Sequence, residues 1–187
     1  MTTRTRIYLA GKIDKNDWRH DVVPGLHGAT YYESDRHYDL PTWPTLPIND
    51  HYAYVGPYMT ADDHGCAHGS SMHGNGTDSC CIAPDSPTAM RRIIKGRCIQ
   101  AIRDCDLFFA WLGHDDALSA YGTLSEIGYA AALDKRIVIG TNCAARYCTC
   151  PQDNLWFAKL FARDEALIHA DSAPAALEHV FNGRVPV

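Results

Sequence analysis

The chain has 187 residues, enough for one closed hydrophobic core and too few for two. Its 17 basic and 22 acidic residues give a formal net charge of −5, which argues against a general nucleic-acid-binding protein. Hydrophobic residues at 46% and charged residues at 21% lie near the globular norm and exclude wholesale disorder.

The first apolar run, Ile7 to Ala10, stops at Gly11 and Lys12. A signal peptide needs an apolar stretch of roughly 7–15 residues, so a soluble, cytoplasmic protein is expected. No stretch approaches the ~18 apolar residues of a membrane span. The eight Cys then read as thiols or metal ligands rather than disulfides. Arg6 to Ala10 is predicted as a buried first strand. Asp14 to Leu26 follows as a helix, with Trp18, Val22, Val23 and Leu26 at helical spacing. Ala29 to Glu33 reads as a second strand. From His37 to Met90 there is no Lys or Arg, but six Asp, five of the ten His and six of the ten Pro. Here regular periodicity fails, and residues 37–85 are expected to form an irregular insertion, or lid.

Periodicity returns at Ser86-Pro87, a helix start with Pro in the first turn, and continues to Arg103. Cys98 and Cys105 fall in or just after this pattern as small buried thiols. Asp106 to Leu112 is a continuous apolar run, as in a central parallel strand covered on both faces. Thr123 to Leu133 is predicted helical and Arg136 to Gly140 a fourth strand. Gln152 to Phe161 is predicted helical, Ala166 to Ala170 a fifth strand, and Ala173 to Phe181 a closing helix. This alternation specifies a single α/β domain over residues 1–187. Its core would be a doubly wound, flavodoxin-like parallel sheet of about five strands, with a long irregular insertion after the second. The switch-point rule puts the site at the carboxyl ends of the strands, around Gly11–Asp14, Gly113–Gly122 and Thr141–Pro151.

The segment Tyr121-Gly-Thr-Leu-Ser-Glu-Ile-Gly-Tyr-Ala130 places Glu126 near the start of a helix whose N-terminus points into that crevice. Two readings compete. Thr123 and Glu126 have the spacing of a capping box, Thr as N-cap and Glu three residues on. Alternatively, Glu126 is a carboxylate nucleophile or general base on the pocket floor. Tyr8-Leu-Ala-Gly11, the Asp106–Leu112 strand and Gly122-Thr-x-x-Glu126-Ile-Gly-Tyr-Ala together resemble the nucleoside 2-deoxyribosyltransferase family. The resemblance covers roughly residues 6–33 and 86–140. It implies that Glu126 attacks C1′ of a nucleoside and carries the sugar as an ester, with Tyr8 beside it. It also implies substrate contacts from Gly11, Asp14, Trp18, Tyr121, Gly122 and Thr123, and a homo-oligomer. The family carries an acid two positions before the Gly of the glutamate motif, where this chain has Ala120. It carries an aspartate where this chain has Cys98. Related members hydrolyse nucleotides, so water is an alternative acceptor.

Within the lid, Asp62, Asp63 and His64 are candidates to replace the missing acids, His64 protonating the leaving base. Trp43, Tyr54, Tyr58 and Trp111 are candidates to sandwich it. Arg19, Arg91 or Arg92 would hold a phosphate, though an exposed surface Arg is the blander expectation for Arg19. No cofactor is required by this chemistry. His64, Cys66, His68, His73, Cys80 and Cys81 are candidate ligands for a zinc ion, although their spacing fits no standard pattern. A window without basic residues repels nucleic-acid polymers and favours a small nucleoside or nucleotide. Two alternatives remain: a glycohydrolase of NAD type, for which no G-x-G-x-x-G loop is present, and a non-catalytic nucleotide-sensing or metal-binding module.

Overall fold

The structure, a computed structural model, describes residues 3–13, 17–26, 45–57, 87–114, 120–143 and 155–184. The expected second strand at 29–33 and the lid from residue 58 to 86 lie outside these residues. In chain order the elements are β1 (Thr5–Ala10), α1 (Arg19–Val22), β2 (Leu46–Pro47), β3 (Tyr52–Gly56), α2 (Pro87–Asp104) and β4 (Leu107–Trp111). There follow α3 (Tyr121–Ala132), β5 (Arg136–Thr141), α4 (Trp156–Lys159), a 3₁₀ turn (Asp164–Ala166), β6 (Leu167–His169) and α5 (Ala173–Phe181).

Among the described residues the sheet has six strands, in the order β2-β3-β1-β4-β5-β6. Only the β2–β3 pair is antiparallel; every other pair is parallel. The five parallel strands therefore follow the 2-1-3-4-5 order of a flavodoxin-like sheet, with a two-residue strand added at one edge. The α/β class and the doubly wound order agree with the sequence reading. The strand count does not: six strands are described where about five were expected. The parallel neighbour of β1 among the described residues is Tyr52–Gly56, inside the window expected to be irregular. All five of its residues are buried. The turn residues around it mark its ends. Asn49 Oδ1 accepts from the backbone N–H groups of His51 and Tyr52 at 2.8 and 2.9 Å and turns β2 into β3. Tyr54, expected in the lid, is instead fully buried in the core, its hydroxyl donating to the Pro57 carbonyl.

Side-chain alternation divides the core into two layers. Tyr8 and Phe108 are paired in register and stack at 5.5 Å between ring centroids, on the side covered by α2 and α3. Phe109 points the other way and meets Trp18 edge-on at 6.0 Å, on the side of α1 and α5. Ile7, Leu9, Leu107, Phe108 and Phe109 are wholly inaccessible. Each such large apolar side chain contributes roughly 1.5–3 kcal/mol of burial free energy. Close packing under β5 requires Gly140: a Cβ there would lie 2.8 Å from Ala176 Cβ on α5.

The predicted 152–161 helix is described as the four-residue α4, which leaves Trp156, Phe157 and Leu160 exposed. The end of α3 is closed by Asp134 at φ 52° and by Lys135, whose N–H returns to the Ala130 carbonyl at 3.0 Å. The Lys135 ammonium donates to the carbonyls of Arg103 and Cys105, capping the last turn of α2. Asp106 holds the start of β4 to β1, accepting from Arg6 N at 2.8 Å and from the Arg6 guanidinium at 3.0 and 3.2 Å. That pairing holds the Asp106 carboxyl below its ordinary value. No helix among the described residues is long and apolar enough to cross a membrane.

Candidate active site

Tyr8 comes from the middle of β1, at the point where the register against β3 shifts between Ile7 and Tyr8. Such irregularities re-aim a side chain. Here the fully buried Tyr8 hydroxyl donates to Glu126 Oε1 at 2.6 Å. Glu126 itself lies in the second turn of α3. The capping-box expectation fails. The helix begins at Tyr121, its N-cap is Ala120 with no side-chain bond, and Thr123 is buried inside the first turn. The Glu126 carboxylate is turned to the sheet and not back to the helix start.

Three acidic groups meet at this point. Burial pushes the Glu126 carboxyl above its ordinary value, and the Tyr8 hydroxyl, the charge of Arg19 and the Cys98 thiol each pull it back. The net direction is upward. Burial, then the negative charge of Glu126, push the Cys98 thiol up to about 12. Burial and Glu126 likewise hold the Tyr8 phenol well above its ordinary range. At neutral pH the phenol and the thiol therefore remain protonated, and the cluster carries at most one negative charge, on Glu126. Cys98 comes from α2, one of the two helices that share this face, and it stands where the resembled family has an aspartate.

No protein-family model matches the chain, and no curated protein matches it. The case for the site therefore rests on its geometry and on its own residues.

The remaining candidates are distributed as follows. Gly11 and Trp18 come together with Arg19 behind the carboxyl end of β1; a Cβ on Gly11 would lie 3.3 Å from both Trp18 Cζ2 and Arg19 Nη2. Arg19, expected at the surface or on a phosphate, is 0% exposed and paired with Asp17 at 2.7 Å. Carbonyl groups and Asp17 occupy its guanidinium, which removes it as an open anion site. Trp111 is buried in β4 on the α5 side, next to Gly140, and is not brought to Glu126. Tyr121 is 73% exposed and Gly122 is exposed at the mouth of α3. Asp14, Trp43, Tyr58, Asp62, Asp63 and His64 lie outside the described residues. So do the candidate metal ligands Cys66, His68, His73, Cys80 and Cys81. Among the described residues no group of three His, Cys, Asp or Glu side chains converges as a metal site would.

Sequence reasoning missed Arg19 and Cys98 as parts of this site. A buried arginine two residues after Asp17 has the signature of a local ion pair. Cys98 had its signal in the substitution of a family acid. Asn142, at the end of β5, is a further loop contact: its Oδ1 accepts from His114 N at 2.7 Å and ties together two of the loops at the carboxyl edge.

Proposed function

We propose that this chain cleaves the N-glycosidic bond of a nucleoside or nucleotide, with Glu126 as the nucleophile. The observation that carries the proposal is the 2.6 Å hydrogen bond from Tyr8 Oη to a carboxylate raised by burial. A largely desolvated carboxylate, oriented by the Tyr8 phenol and the Cys98 thiol, presents an oxygen nucleophile to a reacting carbon. In the first step that oxygen forms a bond to C1′ of the sugar, and the C1′–N bond breaks. The leaving base takes the bonding electron pair and a proton from solvent, and the second step returns one proton to solvent when water is the acceptor. The transition state is oxocarbenium-like, and an adjacent negative charge stabilises it. In the second step water, or the ring nitrogen of another base, attacks C1′ and returns the electron pair to the Glu126 carboxylate. Tyr8 stays protonated throughout, so it orients the carboxylate without competing for the proton.

The resemblance of Tyr8-Leu-Ala-Gly11 and Gly122-Thr-x-x-Glu126-Ile-Gly-Tyr-Ala to the nucleoside 2-deoxyribosyltransferases supports the same chemistry. The acid-poor surroundings, Ala120 and Cys98, favour water as the acceptor over a second base, because fewer groups are present to relay a proton to an incoming ring. The deciding experiment screens nucleosides, nucleotides and NAD for released base, using wild type and Glu126→Gln in parallel. Base release by wild type that Glu126→Gln loses, with a sugar adduct on Glu126 in the intact mass, is the expected result. Release that persists in Glu126→Gln overturns the nucleophile.

A further inference from the structure

Arg19 has a role that no substrate contact explains. Its side chain is wholly buried, and its donors point back into the protein. Nε donates to the Leu9 carbonyl at 2.8 Å and Nη2 to the Gly11 carbonyl at 2.9 Å. Nη1 donates to the Lys12 carbonyl at 3.3 Å and to Asp17 Oδ2 at 2.7 Å. Asp17 in turn accepts from the backbone N–H of Arg19 through its other oxygen at 2.9 Å. The guanidinium plane lies 4.6 Å from the centroid of the Trp18 ring. One planar fork thus gathers three carbonyls within four residues at the end of the strand that carries Tyr8. Lysine, with one point of attachment, has no equivalent geometry.

We propose that Arg19 is a positioning residue for Glu126: it fixes the Leu9–Lys12 segment through its carbonyls, directly after Tyr8, whose hydroxyl holds the carboxylate. This rests on Glu126 being the reacting group. Among the described residues, Tyr8 from β1 and Cys98 from α2 act on Glu126 by hydrogen bonding and Arg19 from α1 by charge. Asp17 offsets part of that charge. The close approach also explains Gly11, since a side chain there meets Nη2 and the Trp18 ring.

Three variants test this: Arg19→Lys, Arg19→Met, and the double variant D17N/R19M, which leaves no unpaired buried carboxylate. The first readout is the titration of Glu126, followed by NMR of carboxyl-labelled glutamate and assigned by its loss in E126Q. It does not depend on turnover. Arg19→Met and D17N/R19M are expected to move the Glu126 midpoint upward, whereas Arg19→Lys, which keeps the charge, moves it less. The second readout is amide exchange in the described segment from Leu9 to Ile13. It should accelerate by about tenfold or more in Arg19→Lys, because each released carbonyl contact loosens the turn. A folded D17N/R19M with an unmoved Glu126 midpoint overturns the electrostatic role. Unchanged exchange in Arg19→Lys overturns the positioning role, and it is measurable even if both Met variants fail to fold. If both readouts behave as expected and no substrate is turned over, the glycosidic activity fails while the role of Arg19 stands.

Discussion

Glu126→Gln separates chemistry from stability, because the two respond in opposite directions. The amide oxygen still accepts from Tyr8 Oη across the 2.6 Å contact, but the charge is gone. Replacing a charged acceptor by a neutral one loses about 1 kcal/mol of hydrogen bonding, since charge-assisted bonds contribute roughly 1.5–3 kcal/mol and neutral ones roughly 0.5–1.5. Against this stands the relief of burying a carboxylate. The net direction of the Glu126 shift is upward with Tyr8, Arg19 and Cys98 already included, so folding favours the neutral form more than the unfolded chain does. Each unit of that rise corresponds to about 1.4 kcal/mol. The linkage sign follows: a carboxyl raised on folding binds its proton more tightly in the native state. Wild-type stability therefore falls as pH rises from the ordinary value of 4.5 through the raised native one, and is level above it. Glu126→Gln lacks this loss. The variant is expected to match wild type below that window and to be equally or more stable at pH 7, with base release abolished. Urea denaturation of both proteins across this range, with a base-release assay at each pH, measures it. A variant destabilised by more than about 1 kcal/mol at neutral pH, with the gap closing on acidification, would refute the reasoning.

Tyr8→Phe removes the phenol donor to Glu126 Oε1 and should cost about 1.5–3 kcal/mol where Glu126 is ionised and less where it is protonated. Its pH–rate profile should have the acid limb moved further up, because a group that pulls the carboxyl down has been lost. Gly140→Ala should destabilise by about 1–3 kcal/mol through the 2.8 Å clash with Ala176. Adding Ala176→Gly should recover part of that, read as a favourable coupling in a double-mutant cycle. Asp134→Val, at φ 52°, should lower stability by about 1–2 kcal/mol, whereas Asp134→Gly should not lower it, and thermal melts distinguish the two.

The elements that sequence periodicity located are those whose burial is uniform. Leu107–Trp111 is apolar throughout because helices cover both its faces, and Ala173–Phe181 shows one apolar stripe behind an N-cap, Ser172, that accepts from Ala175 N. Tyr52–Gly56 is equally buried, yet it was concealed by its flanks: Pro47, Asn49 and Asp50 before it, Gly56 and Pro57 after it. Such residues read as signs of an irregular lid, yet here they bound a short strand. The charge count misled in the same way, since a segment without Lys or Arg does not have to be exposed. Glu126 was legible because its neighbours form a string, and Tyr8 because it precedes Gly11 by three positions. Arg19 was not. Its burial depends on carbonyls of Leu9, Gly11 and Lys12, and a backbone acceptor leaves no trace in side-chain pattern.

The thiol at position 98 gives the site its electrostatic character. A carboxylate in that place would face Glu126 with a second negative charge, and one of the two would be forced to keep its proton. The thiol, raised to about 12, never competes for ionisation in the working range, so Cys98 is a neutral donor and the charge remains on Glu126. Arg19, the one buried cation that acts on this carboxylate, has to offset only a single charge, and part of its own is already committed to Asp17. A site balanced in this way tolerates desolvation without a second acid. Among the described residues no second acid stands beside Glu126 to relay a proton to an incoming base. Among acceptors, water needs that relay least, because it is small enough to reach C1′ and can pass its proton to the carboxylate as the ester opens.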